Sequence, residues 1–310
     1  MATSHRSIYS ALLANLLIAV VKFIAGGVTH SSAMISEGVH SLVDTTNQLL
    51  LLKGIRISKR PLDETRPFGY GKELYFWSFI VSILIFGLGG GVSIYEGLTN
   101  LRNPHPLEDP TWNYVVLIIS LFFEGTSFVI AWKEFNVKRG DQHLWEAITR
   151  SKDPSSFMVL FEDGAAVLGI LVVFICLVIG HHTDRPYLDG VASLLVGFIL
   201  IAVSFLLARE SRSLLMGEAI DPAIQKVIIA MMERDSAVVK VKGILSMYQA
   251  PEEVVVVLGV VFKDTLNTRL INEAVERLRQ QIQVKFPIIQ HVIIQPESFE
   301  PTEIDSLVSY

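Results

Sequence analysis

Apolar and polar positions are divided unevenly along this chain. Up to Leu207 the apolar residues gather in runs of about 20, separated by short polar segments. A bilayer core of about 30 Å takes roughly 20 helical residues to cross. The runs therefore predict six transmembrane helices, over Ile8–Val28, Ala33–Gly54, Leu74–Leu98, Trp112–Trp132, Ser156–Gly180 and Leu188–Leu207. The first run is too long for a signal-peptide core and is read as a retained helix. From Gly217 onward the pattern becomes that of a soluble domain. Asp221 and Pro222 mark a helix start, and Pro222–Glu233 has helical apolar spacing. Val238–Tyr248 and Val254–Lys263 read as strands joined by a turn, Leu270–Val284 as an amphipathic helix, and Val292–Gln295 as a short strand. The expected architecture is a six-helix membrane domain over residues 1–212. An αββαβ domain follows over 213–310, an open α+β sandwich with helices on one face of a small sheet.

Composition agrees with a membrane protein: 51% of residues are hydrophobic and 18% charged, against about 25% charged in ordinary soluble domains. A net charge of -5 argues against a nucleic-acid partner. The lone Cys176 excludes a disulfide framework and a cysteine metal cluster. Charge also orients the chain. Lys53, Arg56, Lys59, Arg60, Arg66 and Lys72 lie between the second and third runs. Lys133, Lys138, Arg139, Arg150 and Lys152 lie between the fourth and fifth. The positive-inside rule puts both segments, and with them both termini, in the cytoplasm. Without a targeting extension, the expected membrane is a bacterial inner membrane, with an organelle as the alternative.

Ionisable residues inside a span are costly, about 2.5–3.5 kcal/mol each on insertion scales, and tend to be functional. The second run carries Glu37, His40 and Asp44, whose spacings of three and four put them on one helical stripe. A neutral imidazole and a carboxylate one turn apart can hold Zn²⁺ between them. The fifth run carries Glu162 and Asp163, which point about 100° apart and cannot both face one ion squarely. If the two helices meet, up to four N/O ligands become available. Glu37 can instead pair with Lys22, His40 can be a hydrogen-bonded core histidine, and Glu124 has no evident role. One imidazole with carboxylates suits Zn²⁺, with Mn²⁺, Fe²⁺ and Co²⁺ within the same donor preference.

Several motifs resemble the cation diffusion facilitator family of metal/proton antiporters. SSAMISEGVHSLVD over Ser31–Asp44 resembles that family's second helix, and PFGYGKE over Pro67–Glu73 its loop before the third. Asn15, Lys22 and Gly26 match its first helix, the stretch Tyr95–Pro106 the end of its third, and Asp189 with Ser193 the start of its sixth. SEGVHSLVDTTNQ together with SKDPSSFMVLFEDGAAVLG is most similar to the zinc transporter nine branch. The resemblance implies a transport site of two residues four apart on the second helix, here His40 and Asp44, and a second such pair on the fifth. There Asp163 matches, but the position four earlier is Val159, so Glu162, Asn15 or water is left to supply the fourth ligand. Accessory metal positions of some members fall on Arg66, Tyr70, the strand around Gly259, and Gln295, which implies no clustered cytoplasmic site.

The function implied is export of a divalent cation, zinc first, from the cytoplasm in exchange for protons by alternating access, in a homodimer without a resident cofactor. Metal and protons compete for the same lone pairs, which couples the two. Two rivals stand beside this. An intramembrane zinc hydrolase would want an H-E-x-x-H pair, which the sequence lacks, so the chain is not expected to be an enzyme. A membrane metal sensor or scaffold that binds without transporting is the other.

Overall fold

A computed structural model describes residues 5–104, 111–140, 143, 147–148 and 151–298. Arg150, His105, Pro106 and the tail from residue 299 lie outside the described residues. The chain divides into two compact units, Met1–Leu215 and Met216–Tyr310.

The first unit holds six long helices among the described residues: α1 (His5–Thr29), α2 (Ser32–Ser58), α3 (Lys72–Arg102), α4 (Thr111–Arg139), α5 (Pro154–Thr183) and α6 (Tyr187–Met216). Each contains one of the six expected runs and extends it by a few polar residues. By length and composition, α3 through α6 each qualify as a membrane span. The apolar stretch described for α1, Asn15–Thr29, is shorter, and α2 carries Glu37, His40, Asp44, Lys53 and Arg56. The expected count of six is therefore legible as apolar spans at four helices. At α1 and α2 the charges turn inward instead: Lys22, Glu37, His40 and Asp44 are all buried. Leu13, Leu17, Ile24, Trp112, Phe122, Phe198 and Phe205 face outward, an apolar exterior that a water-soluble domain of this size would not present. The protein is a multi-pass integral membrane protein.

Helix α2 packs against α1, α3 and α5, and α4 packs against α1 and α5. Its start is fixed locally and across the bundle. Ser31 is the N-cap, its side chain accepting from the Met34 backbone N–H. The Asp189 carboxylate of α6 accepts from Ser31 Oγ at 2.5 Å, Ser32 N at 2.6 Å and Ser32 Oγ at 2.8 Å. A carboxylate here meets the otherwise orphaned N–H groups and the positive end of the helix dipole. Helices α3 and α6 approach through glycine. A Cβ on Gly97 would lie 2.8 Å from the Gly190 carbonyl oxygen, and one on Gly190 would lie 3.0 Å from that of Gly97. Midway along, α3 widens into a π-helical turn over Ile85–Gly91.

The second unit has the expected order: α7 (Pro222–Met232), β1 (Val238–Ala250), β2 (Glu253–Phe262), α8 (Thr268–Lys285) and β3 (Ile289–Pro296). The sheet order is β1-β2-β3, antiparallel then parallel. Val254, Val256, Leu258, Val260 and Phe262 of β2 share one core with Ile228 and Met232 of α7 and with Ala274, Leu278 and Ile282 of α8. Strand alternation sends the intervening positions to the other face. There Leu245, Val257 and Ile293 stand in one row across the three strands, with Leu245 and Ile293 exposed. Asp235 receives a forked pair of hydrogen bonds from Arg277 of α8, at 2.9 and 2.8 Å. That guanidinium holds the Asp235 carboxyl below the usual carboxylate range.

Candidate metal site

The helical spacing of α2 brings His40 and Asp44 together, with Nε2 3.5 Å from Oδ2. Both are buried, 2% and 8% exposed. Neither ring nitrogen of His40, nor Oδ1 of Asp44, has a hydrogen-bond partner among the described residues. His40 is thus not the hydrogen-bonded core histidine that the sequence also allowed. Leaving such atoms buried and unpaired costs roughly 1–3 kcal/mol each. Three of them converging on one turn of helix is the pattern of a site built to receive a ligand.

Helix α5 contributes the other carboxylates, and α4 and α2 hold them. Asp153 caps α5 with Pro154 in its first turn, which starts the helix so that residues 162 and 163 fall mid-bundle. Asp163 Oδ2 accepts from Ser127 Oγ of α4 at 2.6 Å. Glu162 Oε1 accepts from Asn47 Nδ2 of α2 at 3.1 Å. Glu162, Glu124 and Asp163 all lie within electrostatic reach of Asp44. Val159 packs on the apolar core. Among the described residues no three His, Cys, Asp or Glu side chains are close enough to hold one ion. The His40–Asp44 pair and the α5 carboxylates stand as two separate halves.

The remaining charge on the stripe has a different use. Lys22, fully buried in α1, donates to Glu37 Oε2 at 3.0 Å and to Ser41 Oγ at 2.9 Å. Glu37 also rests against α5, where a Cβ on Gly169 would come 2.7 Å from its Oε1. The Lys22–Glu37 pair ties α1, α2 and α5 together, the pairing alternative that the sequence left open.

Residues 8–216 match the cation efflux transmembrane domain. The chain belongs to the cation efflux family. Among curated proteins, this cation efflux protein is 35% identical over 230 residues to the human "Proton-coupled zinc antiporter SLC30A9, mitochondrial", covering 74% of this chain and 40% of that one. It is 34% identical over 239 residues to Metal tolerance protein C4 of Arabidopsis thaliana, covering 76% and 52%. To the manganese efflux system protein MneP of Bacillus subtilis it is 28% identical over 218 residues, covering 69% of each. The chain thus spans well under two thirds of the human and plant relatives.

The positions singled out for accessory metal sites do other work in this cation efflux protein. In the loop before α3, Tyr70 donates its hydroxyl proton to Asp63 Oδ2 at 2.6 Å. The backbone N–H groups of Thr65 and Arg66 donate to Oδ1. These donors, the Tyr70 and Thr65 hydroxyls first, pull the Asp63 carboxyl down to about 2. In the second unit, Gly259 leaves room for the Glu297 carboxylate that lies against it, and His291 Nε2 meets Glu253 Oε1 at 3.2 Å. Sequence reasoning missed Asn47 and Ser127. Polar residues within a span were their only signal.

Proposed function

We propose that the protein is a secondary-active transporter. It exports divalent metal cations, Zn²⁺ first, from the cytoplasm in exchange for protons by alternating access. The observation that carries this is the trio of unpaired polar atoms on His40 and Asp44, buried within a membrane bundle. His40, Asp44 and Asp163 are the proposed ligands, with Glu162 as the fourth in place of Val159. The separation of the α2 and α5 halves suits a transporter, because an ion bound in one access state must be released in the other. When both halves close on the cation, its charge offsets the several kcal/mol that each buried carboxylate otherwise costs. When it leaves, protons take its place. The printed names of the human relative, a proton-coupled zinc antiporter, and of the Bacillus relative, a manganese efflux protein, support both the class of cargo and the exchange.

The basic segments 53–72 and 133–152 support six spans with cytoplasmic termini. The apolar outer row Leu245, Val257 and Ile293 supports a homodimer through the second unit. The proposed membrane is a bacterial inner membrane, or a mitochondrial one, as the human relative's name has it. A second reading, a metal-binding sensor that moves nothing, is favoured by the want of three converging ligands among the described residues. Zinc flux into sealed proteoliposomes, with and without an imposed pH gradient, separates the two. Transport requires flux that the gradient accelerates; binding to the purified protein without flux would establish the sensor.

A further inference from the structure

Helix α4 carries a polar line that lies outside the proposed ligand set. Asn113, Ser120 and Glu124 recur at spacings of seven and four, which keeps them on one face of the helix. All three are buried, at 0%, 1% and 8% exposure. Ser127 follows one turn later at the edge of that face and donates to Asp163. At the other end Asn113 Oδ1 accepts from Thr29 Oγ1 of α1 at 3.0 Å. Thr29 is the last residue of α1, at the end of the bundle opposite the two basic segments. The line therefore runs from beside the candidate metal site to the far membrane face. It spans the 14 positions from 113 to 127, roughly 21 Å at 1.5 Å per residue.

Its polar atoms are left open. Ser120 Oγ and Asn113 Nδ2 have no hydrogen-bond partner among the described residues. Glu124 makes no hydrogen bond or ion pair there either. Lys22, the buried cation within its electrostatic reach, is already engaged by Glu37. A carboxyl group with no structural partner and a file of unpaired polar atoms leading to one face is a poor design for stability, since buried polar groups cost free energy unless paired. It is a good design for moving a proton, because buried polar atoms of this kind are met by water and in-membrane acids of this kind form relays.

We propose that Glu124 carries a proton in the exchange, beside the protons that take the cation's place at the ligands, and that Asn113 and Ser120 line its route to the membrane face opposite the basic loops. The inference rests on the antiport reading above and names a residue outside its ligand set. The charged groups facing Glu124 are Lys22 of α1, Glu37 and Asp44 of α2, and Asp163 of α5. Lys22 and Glu37 neutralise one another. The charge that changes in the cycle is the cation arriving at Asp44 and Asp163. Its arrival favours an ionised Glu124. The O–H bond of the Glu124 carboxyl breaks, and the proton passes to cytoplasmic water by the opening through which the cation came in. When the cation departs to the far side, a proton enters from that side along Asn113 and Ser120 and the O–H bond re-forms, so each cycle carries a proton across the membrane against the cation. The step moves only this proton and needs no oxidant or second substrate.

Purified protein in sealed proteoliposomes tests this with the variants Glu124→Gln and Glu124→Asp. Two readouts are compared: radiolabelled zinc exchange at equal pH and equal zinc on both sides, which needs no net proton movement, and zinc accumulation driven by a pH gradient. Glu124→Gln should keep exchange within about twofold of the parent while gradient-driven accumulation falls at least tenfold. Glu124→Asp should restore part of it. Ser120→Ala should flatten the pH dependence of accumulation with exchange intact, which keeps the proposal falsifiable if Glu124→Gln does not fold. Undiminished accumulation in Glu124→Gln overturns the proposal. So does a parallel loss of exchange and accumulation in a folded Glu124→Gln, which would make Glu124 a ligand or a packing residue. If the parent protein itself exchanges zinc but ignores the pH gradient, the antiport reading has failed and takes this inference with it.

Discussion

At the scale of single residues the site is a contest between pairing and ligation. Lys22 holds Glu37 Oε2 and Ser41 Oγ; Glu37 Oε1, both ring nitrogens of His40 and Asp44 Oδ1 are left without partners among the described residues. Asp44→Ala should therefore abolish zinc flux without loss of folded protein, since it removes a proposed ligand whose Oδ1 holds no partner among the described residues. Flux near that of the parent at equal abundance would refute the assignment. Glu162 is the harder case, because Asn47 already donates to it. As a ligand it must give up that bond or share its second oxygen. Glu162→Gln should then weaken zinc binding at least about tenfold, roughly 1.4 kcal/mol. An unchanged isotherm by titration calorimetry would assign Glu162 to the α2–α5 contact instead.

Among the elements, α3 and α6 meet where glycine lets two backbones touch. A methyl group on Gly97 would sit 2.8 Å from a carbonyl oxygen and equally close to Leu194, and the carbonyl cannot swing aside as a side-chain end can. Gly97→Ala should lower stability by about 1–3 kcal/mol, the usual cost of overpacking, read as a lower melting midpoint in detergent. Gly27 has nothing within 4 Å of its would-be Cβ, so Gly27→Ala should leave the midpoint unchanged and serves as the control. In the second unit the Asp235–Arg277 fork joins the turn before β1 to α8. Asp235 is held below its ordinary range, so its contribution is complete above about pH 4, the ordinary carboxylate value. It is lost as pH falls through the lowered one. Asp235→Asn should remove that acid-side slope from the unfolding curve of the second unit, and an identical slope in both proteins would argue against it.

For the whole molecule, the division at residue 215 and the separate core of the second unit predict that residues 218–300 fold alone. Leu245 and Ile293 are exposed in a row with Val257, and Gly259 and Gln295 stand in the neighbouring row. The fragment should sediment as a dimer in chelator. A monomer that pairs only when zinc is restored would reveal a metal site in the second unit that these residues do not account for.

The sequence by itself determined where the helices and strands lie. Runs of about 20 apolar residues, the Asp-Pro start at 221, and the apolar β-branched run Val254–Phe262 are local signals, and local signals survive without neighbours. It also determined that His40 and Asp44 share a face, because one turn of helix fixes that spacing. What only the tertiary structure decided is which polar groups find each other across helices. Lys22 with Glu37, Asn47 with Glu162, Ser127 with Asp163, and Asp189 with the start of α2 are 15 to 158 residues apart. No periodicity encodes such pairs. They depend on which helix packs against which and at what rotation. For the same reason Glu124, an unexplained acid when read along the chain, acquires a role only once α4 is seen to turn Asn113, Ser120 and Glu124 inward together.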